Sequence, residues 1–347
     1  MSKIHIVNWL LTRKCNLECD YCAIVKNYKN KPKEYPDMKH YFKNEMSTDY
    51  VIDVLTLFKL HNPHAFHIFY GGEPLLRKDL PDIINYCNNN NIHYTIISNN
   101  TKNIQPLIDR LFEKTSYVQG FTSSVDPVFN SLDCPNEDRV IKSIEGFKRL
   151  VEIKKKGLIK DVVAEITAMR HNVFKLYDLV QMLSNEGINS DITFIDISKN
   201  PYYDFSNITN KNLLVSQEES LWDMALLTKS PFDIHMKKKL LPKIYEILPS
   251  NMDCKIENKL HNVTIDADGS VRLCLRIRGV TTPNNVKAHE LFSSDRSISK
   301  FAHMHIIEDK KKFCELCNHT CYLMSQIIDE EESEVRGLIH KNKREEK

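Results

Sequence analysis

Between residues 1 and 200 the chain alternates between two hydrophobic periods, and few folds can satisfy that alternation. Short apolar runs with strand character stand at Ile4–Leu11, Ala65–Tyr70, His93–Ser98, Val118–Val125, Val162–Met169 and Asp191–Ile197. Between them lie stretches with helical spacing, roughly Thr48–His61, Leu80–Asn89, Ile104–Glu113, Asp138–Lys156 and Phe174–Glu186,. Stop signals fit, with Asn88–Asn91 after one helix and Gly187 after another,. Strands alternating with helices predict an α/β fold with a parallel sheet and right-handed crossovers. Six strands make either an open, partial barrel or a doubly wound sheet. In both, ligands bind at the carboxyl ends of the strands.

After about residue 200 the pattern changes. Ser216-Gln217-Glu218-Glu219 has the form of a capping box opening a helix through Leu227, and a second helical stretch covers Ile234–Leu248,. Val263–Leu273 alternates around Asp268-Gly269, which marks a β-hairpin,. The expected organisation is a core over 1–200, a helical connection over 201–250, a small cysteine-bearing module over 251–325 and a charged, solvated tail over 326–347,. Lys+Arg 48 against Asp+Glu 46 gives a net charge of +2, so no bulk electrostatic argument favours nucleic acid or an anionic membrane as partner,. Ile4–Leu11 is too short to span a bilayer and contains Asn8,. A cytoplasmic location is expected. Ten cysteines are then no disulfide framework,. Cys15, Cys19 and Cys22 form one group and Cys254, Cys274, Cys314, Cys317 and Cys321 another, which reads as metal ligation,. Cys87, in a helical stretch, reads as a small buried hydrophobe, and Cys134 receives no assignment.

The first group is a C-x3-C-x2-C run directly after the first strand. Thiolates suit iron–sulfur clusters or zinc. Three is the informative number. A structural zinc site takes four protein ligands and closes, whereas three thiolates on a four-iron cluster leave one iron open. The loop resembles that of the radical S-adenosylmethionine (SAM) superfamily, down to the aromatic Tyr21 before the last cysteine. Tyr70-Gly71-Gly72-Glu73-Pro74, at the end of the second run, is similar to the family's Gly-Gly-Glu-Pro motif, which binds the methionine amino group of SAM. Glycines admit close approach of backbone carbonyls to an ammonium group, and Glu73 adds negative charge. Ser98-Asn99-Asn100-Thr101 resembles a ribose-contacting turn. Ser124-Val125-Asp126, with Arg139 beyond, is similar to positions that hold the SAM carboxylate in relatives with an auxiliary cluster. Asn172 matches a common position of unassigned role.

The resemblance implies a partial (β/α)6 TIM-like barrel and a SAM-binding 4Fe–4S cluster on Cys15, Cys19 and Cys22. It also implies a mechanism. The open iron chelates SAM, and an electron from a reductant such as flavodoxin or ferredoxin breaks the S–C5′ bond. The resulting 5′-deoxyadenosyl radical takes a hydrogen atom from an unactivated carbon.

Cys254, the Gly269-x4-Cys274 spacing on the hairpin, and Cys314-Glu-Leu-Cys317-Asn-His-Thr-Cys321 resemble the auxiliary-cluster modules called SPASM and twitch, and the count of five favours the single-cluster twitch form. The preferred ligands of this second 4Fe–4S cluster are Cys254, Cys274, Cys314 and Cys317. Cys321 either replaces one of them, donates a hydrogen atom to a substrate radical, or is simply buried. On spacing alone a zinc knuckle competes. Arg276 and Arg278 either meet an anionic substrate or lie on the surface; His303 and His305 read as surface; Tyr202-Tyr203 either line a pocket or cover the core. Glu165 and Thr167 alternate with Ala164 and Ile166, so one pair faces the barrel interior, where a carboxylate needs a partner,.

The expected activity is hydrogen abstraction from a small sugar-, cyclitol- or nucleotide-like molecule, for dehydrogenation, epimerisation or bond formation. Only 14 residues precede Cys15, which leaves no room for a peptide-recognition domain there. Modification of a ribosomally made peptide is the alternative. From another class, the rival is an electron-transfer or sensing protein without SAM chemistry, against which Gly71–Pro74 speaks.

Overall fold

The computed structural model describes residues 4–17, 19, 45–125, 137–170, 172–194, 227, 262–272 and 287–292. Their elements run β1 (Ile6–Thr12), α1 (Thr48–His61), β2 (Phe66–Gly71), α2 (Leu80–Asn89), β3 (His93–Ser98), α3 (Gln105–Lys114), β4 (Val118–Val125), α4 (Glu137–Lys155), β5 (Ile159–Ala168), α5 (Leu176–Asn185), β6 (Asn189–Phe194), β7 (Asn262–Ile265) and β8 (Val271–Arg272). Among the described residues the strands form one sheet in the order β6-β5-β4-β3-β2-β1-β7-β8. The pairings from β6 through to β7 are parallel, and β8 returns antiparallel to β7. The α/β fold expected from the sequence is therefore present, with five strand–helix units, then β6, and one further parallel strand among the described residues. Cys134, the helical stretches before Leu227 and over Ile234–Leu248, Tyr202-Tyr203, Arg276, Arg278, His303, His305 and the tail lie outside the described residues.

Helix α1 shows why these segments fold as they do. Ser47 caps it by accepting a hydrogen bond from Tyr50 N at 3.2 Å,. Asp49 occupies the first turn and Lys59 and His61 the last, each at the favourable end of the helix dipole,. Val51, Val54, Leu55 and Phe58 fall on one face and are fully buried,. Phe58 meets Trp9 of β1 edge-on, with ring centroids 6.3 Å apart,. Trp9 Nε1 donates to His67 Nδ1 at 2.9 Å, so two buried polar groups satisfy each other,. Burial pushes His67 down to about 3 and keeps its imidazole neutral,. Cys87 is completely buried on α2, where burial pushes its thiol up, as a small core hydrophobe.

Alternation along each strand separates two faces. Val7, Trp9, Phe69, Ile96, Phe121, Val162, Ala164, Ile166 and Ile192 join the helices in the core. The opposite face carries Tyr70, Thr95, Thr122, Ser124, Glu165 and Asp191, all half-buried. Register aligns Ser124, Glu165 and Asp191 in one row across β4, β5 and β6. Glu165 and Thr167 thus take the open face, and Ala164 and Ile166 the core. No helix among the described residues is long and apolar enough to cross a membrane.

The Asp-Gly hairpin is present as β7–β8, but its first strand belongs to the core sheet and pairs with β1 from Ile6↔Asn262 to Trp9↔Ile265. Gly269 turns it at φ +81°, and a Cβ there would come within 2.8 Å of the Tyr50 ring,. The turn is fastened to the end of β1 by a buried ion pair: Arg13 Nη2 lies 2.5 Å from Asp266 Oδ1, and both side chains are fully buried. Asp268, partly exposed, lies 3.9 Å from the same nitrogen. Removing one partner of a buried pair strands the other charge. Asp266→Ala should lower the unfolding free energy in urea by about 3–5 kcal/mol, and Asp268→Ala by only about 1 kcal/mol. Equal losses would refute the assignment.

Candidate active site

At the carboxyl edge of the sheet, backbone hydrogen bonds lock the loops after β1 and β2 together, and the Glu73 side chain adds the loop after β3. The chain leaves β1 through Arg13 and Lys14 to Cys15. The chain leaving β2 runs beside it: Gly72 N donates to Thr12 O at 2.8 Å and Glu73 N to Lys14 O at 2.8 Å. A Cβ on Gly71 would stand 2.3 Å from Thr12 O, and one on Gly72 2.2 Å from Lys14 O. Only glycine admits this approach. The two glycines are thus required first by the neighbouring strand's backbone, a reason the sequence did not disclose.

Glu73 holds the third loop. Its carboxylate caps a short 3-10 turn over Pro74–Leu76 by accepting from Leu75 N at 3.1 Å. The other oxygen accepts from Ser98 Oγ at 3.1 Å and from Asn99 N at 2.9 Å. Glu73 is fully buried, and burial raises its carboxyl to about 7 against the opposing effect of those three donors,. Ser98 is buried too, its hydroxyl engaged with Glu73 while it accepts from Asn100 N at 3.2 Å. Neither side chain faces the open mouth, so Glu73 and Ser98 act here on the protein itself.

Asn99 is half-buried and reaches across to the cysteine loop. Its Nδ2 donates to Asn16 Oδ1 at 2.8 Å and lies 4.0 Å from Cys15 Sγ. Asn16 Nδ2 in turn donates to Thr101 Oγ1 at 3.1 Å. Asn100 sits at φ +47°, a conformation that asparagine tolerates better than most residues,. Helix α4 closes over it at Gly146, where a Cβ would lie 2.7 Å from Asn100 O. Ser124 stands at the end of β4, on the open face. Asn172 braces the turn after β5, donating to Thr167 O at 2.9 Å and accepting from Met169 N at 2.8 Å.

The structure therefore brings Cys15, Gly71–Pro74, Ser98 and Asn99 into one contact network, with Ser124 on the same edge. Arg139 lies on α4. Cys22, Asp126, Cys254, Cys274, Cys314, Cys317 and Cys321 lie outside the described residues. Nothing in the sequence singled out Asn16, a spacer within the cysteine run, or Arg13. Their signal lay in pairing: Asn16 has a polar partner at each end only once β3 lies nearby.

The radical SAM superfamily model matches residues 9–195, from β1 through the end of β6. The chain belongs to the radical SAM superfamily. S-adenosylmethionine and a 4Fe–4S cluster come with membership, and the local chemistry fits. Cys15 and Cys19 are half-buried and in no disulfide, and Cys15 Sγ accepts from Leu17 N at 3.4 Å, a donor suited to a thiolate that carries cluster charge. The chain is 34% identical over 117 residues to the Fe-coproporphyrin III synthase of Methanosarcina barkeri, 33% of this chain and 24% of that one. It thus spans about a quarter of that relative. It is 24% identical over 216 residues to an S-adenosylmethionine-dependent nucleotide dehydratase of Selenomonas ruminantium, 61% of this chain and 72% of that one. Among solved structures, SuiB of Streptococcus suis bound to precursor peptide SuiA superposes with a TM-score of 0.60 at 14% identity, over 87% of this chain and 67% of that one. It shares the fold.

The superfamily enzyme's Glu73 has a thermodynamic signature. The native state holds the Glu73 proton up to about pH 7, whereas an unfolded glutamate releases it near 4.5. Stability from this group is complete below about 4.5 and lost as pH rises to about 7. At about 1.4 kcal/mol per unit the loss is at most about 3 kcal/mol. Glu73→Gln should flatten that slope in thermal melts between pH 4.5 and 7.5; an identical slope in the variant would exclude Glu73 as its source.

Proposed function

We propose that this enzyme abstracts hydrogen from a C–H bond of a small, hydroxyl-rich molecule of sugar, cyclitol or nucleotide type, with Cys15, Cys19 and Cys22 holding the SAM-binding cluster. The observation that carries the site is the convergence of the loops after β1, β2 and β3 through Gly72, Glu73 and Asn99. When bound, the cluster and SAM supply a 5′-deoxyadenosyl radical. The chain's residues orient and enclose. Backbone of Gly71–Pro74 offers carbonyls to the methionine amino group, and Glu73 holds that backbone in place. Ser124, Asp126 and Arg139 are the proposed contacts for the SAM carboxylate. The open face, with Thr95, Thr122, Glu165 and Asp191, presents hydroxyl and carboxylate groups that suit a polar substrate better than an apolar one. Similarity to a nucleotide dehydratase over most of that enzyme's length supports the small-molecule reading. The SuiB fold, seen with a precursor peptide, keeps a peptide substrate as the second reading.

A second, closed 4Fe–4S cluster on Cys254, Cys274, Cys314 and Cys317, with Cys321 as the alternative ligand, completes the proposal. The cysteine spacing on either side of the β7–β8 hairpin supports it. Four thiolates would leave no iron open, so the chemistry these cysteines would bring to the site is a one-electron acceptor or a wall of the pocket mouth. A reductant such as flavodoxin or ferredoxin supplies electrons.

Two outcomes are expected. Reconstituted protein should hold about eight irons and the Cys15/Cys19/Cys22→Ala variant about four; reduced with SAM, wild type should release 5′-deoxyadenosine and that variant none. Zinc without inorganic sulfide would refute the assignment. Separately, Cys254→Ala or Cys274→Ala should impair substrate turnover more than substrate-free SAM cleavage. Iron content and circular dichroism control for unfolding of a region that folds around its metal.

A further inference from the structure

Asn99 was expected at the SAM ribose, yet its amide is already engaged at both ends. Oδ1 accepts from Thr101 N at 3.2 Å and from Thr101 Oγ1 at 2.9 Å. One Nδ2 hydrogen goes to Asn16 Oδ1 at 2.8 Å, and the nitrogen lies 4.0 Å from Cys15 Sγ. Asn16 closes the ring by donating to Thr101 at 3.1 Å. The turn that carries Asn99 is itself pinned from below, because Glu73 accepts its backbone N–H. A primary amide has two N–H donors, and among the described residues the second has the cysteine sulfur as its acceptor,.

We infer that Asn99 is a positioning residue for the cysteine loop: its amide clasps Asn16 and donates to the Cys15 sulfur, raising the reduction potential of the cluster that Cys15 holds. The inference rests on the reading of Cys15 as a ligand. The contact is long for a neutral thiol, but a ligating thiolate carries negative charge and draws a donor closer. A hydrogen bond to a ligating sulfur stabilises the reduced, more negative cluster, so its removal lowers the potential. Asn99 thereby adds to the backbone donor at Leu17 N, 3.4 Å from the same sulfur.

Asn99→Asp keeps an oxygen that accepts from Thr101 and removes both N–H donors, but it also adds a negative charge close to Cys15,. Asn16 can turn its amide to donate to the new oxygen, so the loop keeps its fastening. Wild-type and variant holoenzyme are reconstituted anaerobically, and the midpoint potential of the SAM-responsive EPR signal is read before SAM is added. The expected result is wild-type iron content, a potential shifted to more negative values and unchanged SAM affinity. An unchanged potential overturns the inference; if SAM affinity falls at the same time, Asn99 is a ribose contact instead. Asn99→Ala removes the donors without adding charge, so a shift in the same direction there separates the lost hydrogen bond from the added charge, and a shift in Asn99→Asp alone overturns the inference. Cys15→Ala separates the inference from the reading beneath it. If that variant retains the SAM-responsive signal, Cys15 is no ligand. If it loses the signal while the potential of Asn99→Asp is unchanged, the clasp alone fails.

Discussion

The site depends on how closely the chain leaving β2 approaches the chain leaving β1. Two backbone hydrogen bonds, from Gly72 and Glu73 to the carbonyls of Thr12 and Lys14, continue the parallel pairing past the last residues of the strands. They exist because nothing projects from Gly71 or Gly72 into a gap too narrow for a methyl group. The cysteine loop therefore begins as an extension of the sheet, and Cys15 inherits the rigidity of its centre. Loops carry function best when a scaffold fixes their roots, and here one root is fixed by the motif on the next strand.

Burial then sets the electrostatics around that loop. Arg13 lies on one side of the loop's root, fully buried against Asp266, and Glu73 lies on the other, fully buried among three donors. A charge taken out of water is retained only where partners offset the desolvation. Arg13 finds its partner on β7's turn, far along the chain. Among the described residues Glu73 meets neutral dipoles, and burial leaves its carboxyl raised to about 7. The difference is physical: an opposite charge offsets desolvation more fully than peptide and hydroxyl groups do. Thr12 adds a further tie, donating to Glu45 Oε1 at 2.7 Å while Arg13 N reaches the same oxygen at 3.2 Å.

Strand–helix alternation made the core legible, because a buried parallel strand and an amphipathic helix each write their period into the chain. The element limits shifted by a few residues where neighbours decide. β5 begins at Ile159 rather than Val162 because Ile159 pairs with Val118. The motif residues were legible as a group, while their individual work was not. Glu73 read as a charge for a ligand, and the structure adds that it caps a turn and holds Ser98 and Asn99. Asn172 read as a familiar position and turned out to brace the turn after β5. Such roles depend on which side chain lies across a gap of 3 Å, which sequence spacing within one strand cannot encode. Asp266 was invisible for the same reason: its partner is 253 positions away.

The place of β7 ties the far end of the chain to the reactive loop. As β7 runs parallel to β1, its end at Ile265 lies beside Trp9, on the way to the edge where Cys15 stands. Arg13 and Asp266 join the two segments just beyond, and Met46 N bonds Ala267 O at 2.6 Å from the third side. A disturbance in the turn between β7 and β8 thus reaches Arg13, two residues before the cysteine, through one buried ion pair. Conversely, order in the cysteine loop steadies the turn from which the chain proceeds toward Cys274. Between the root of the cysteine loop and the hairpin turn, the sheet supplies a connection whose strength is set by one guanidinium and one carboxylate out of contact with water,.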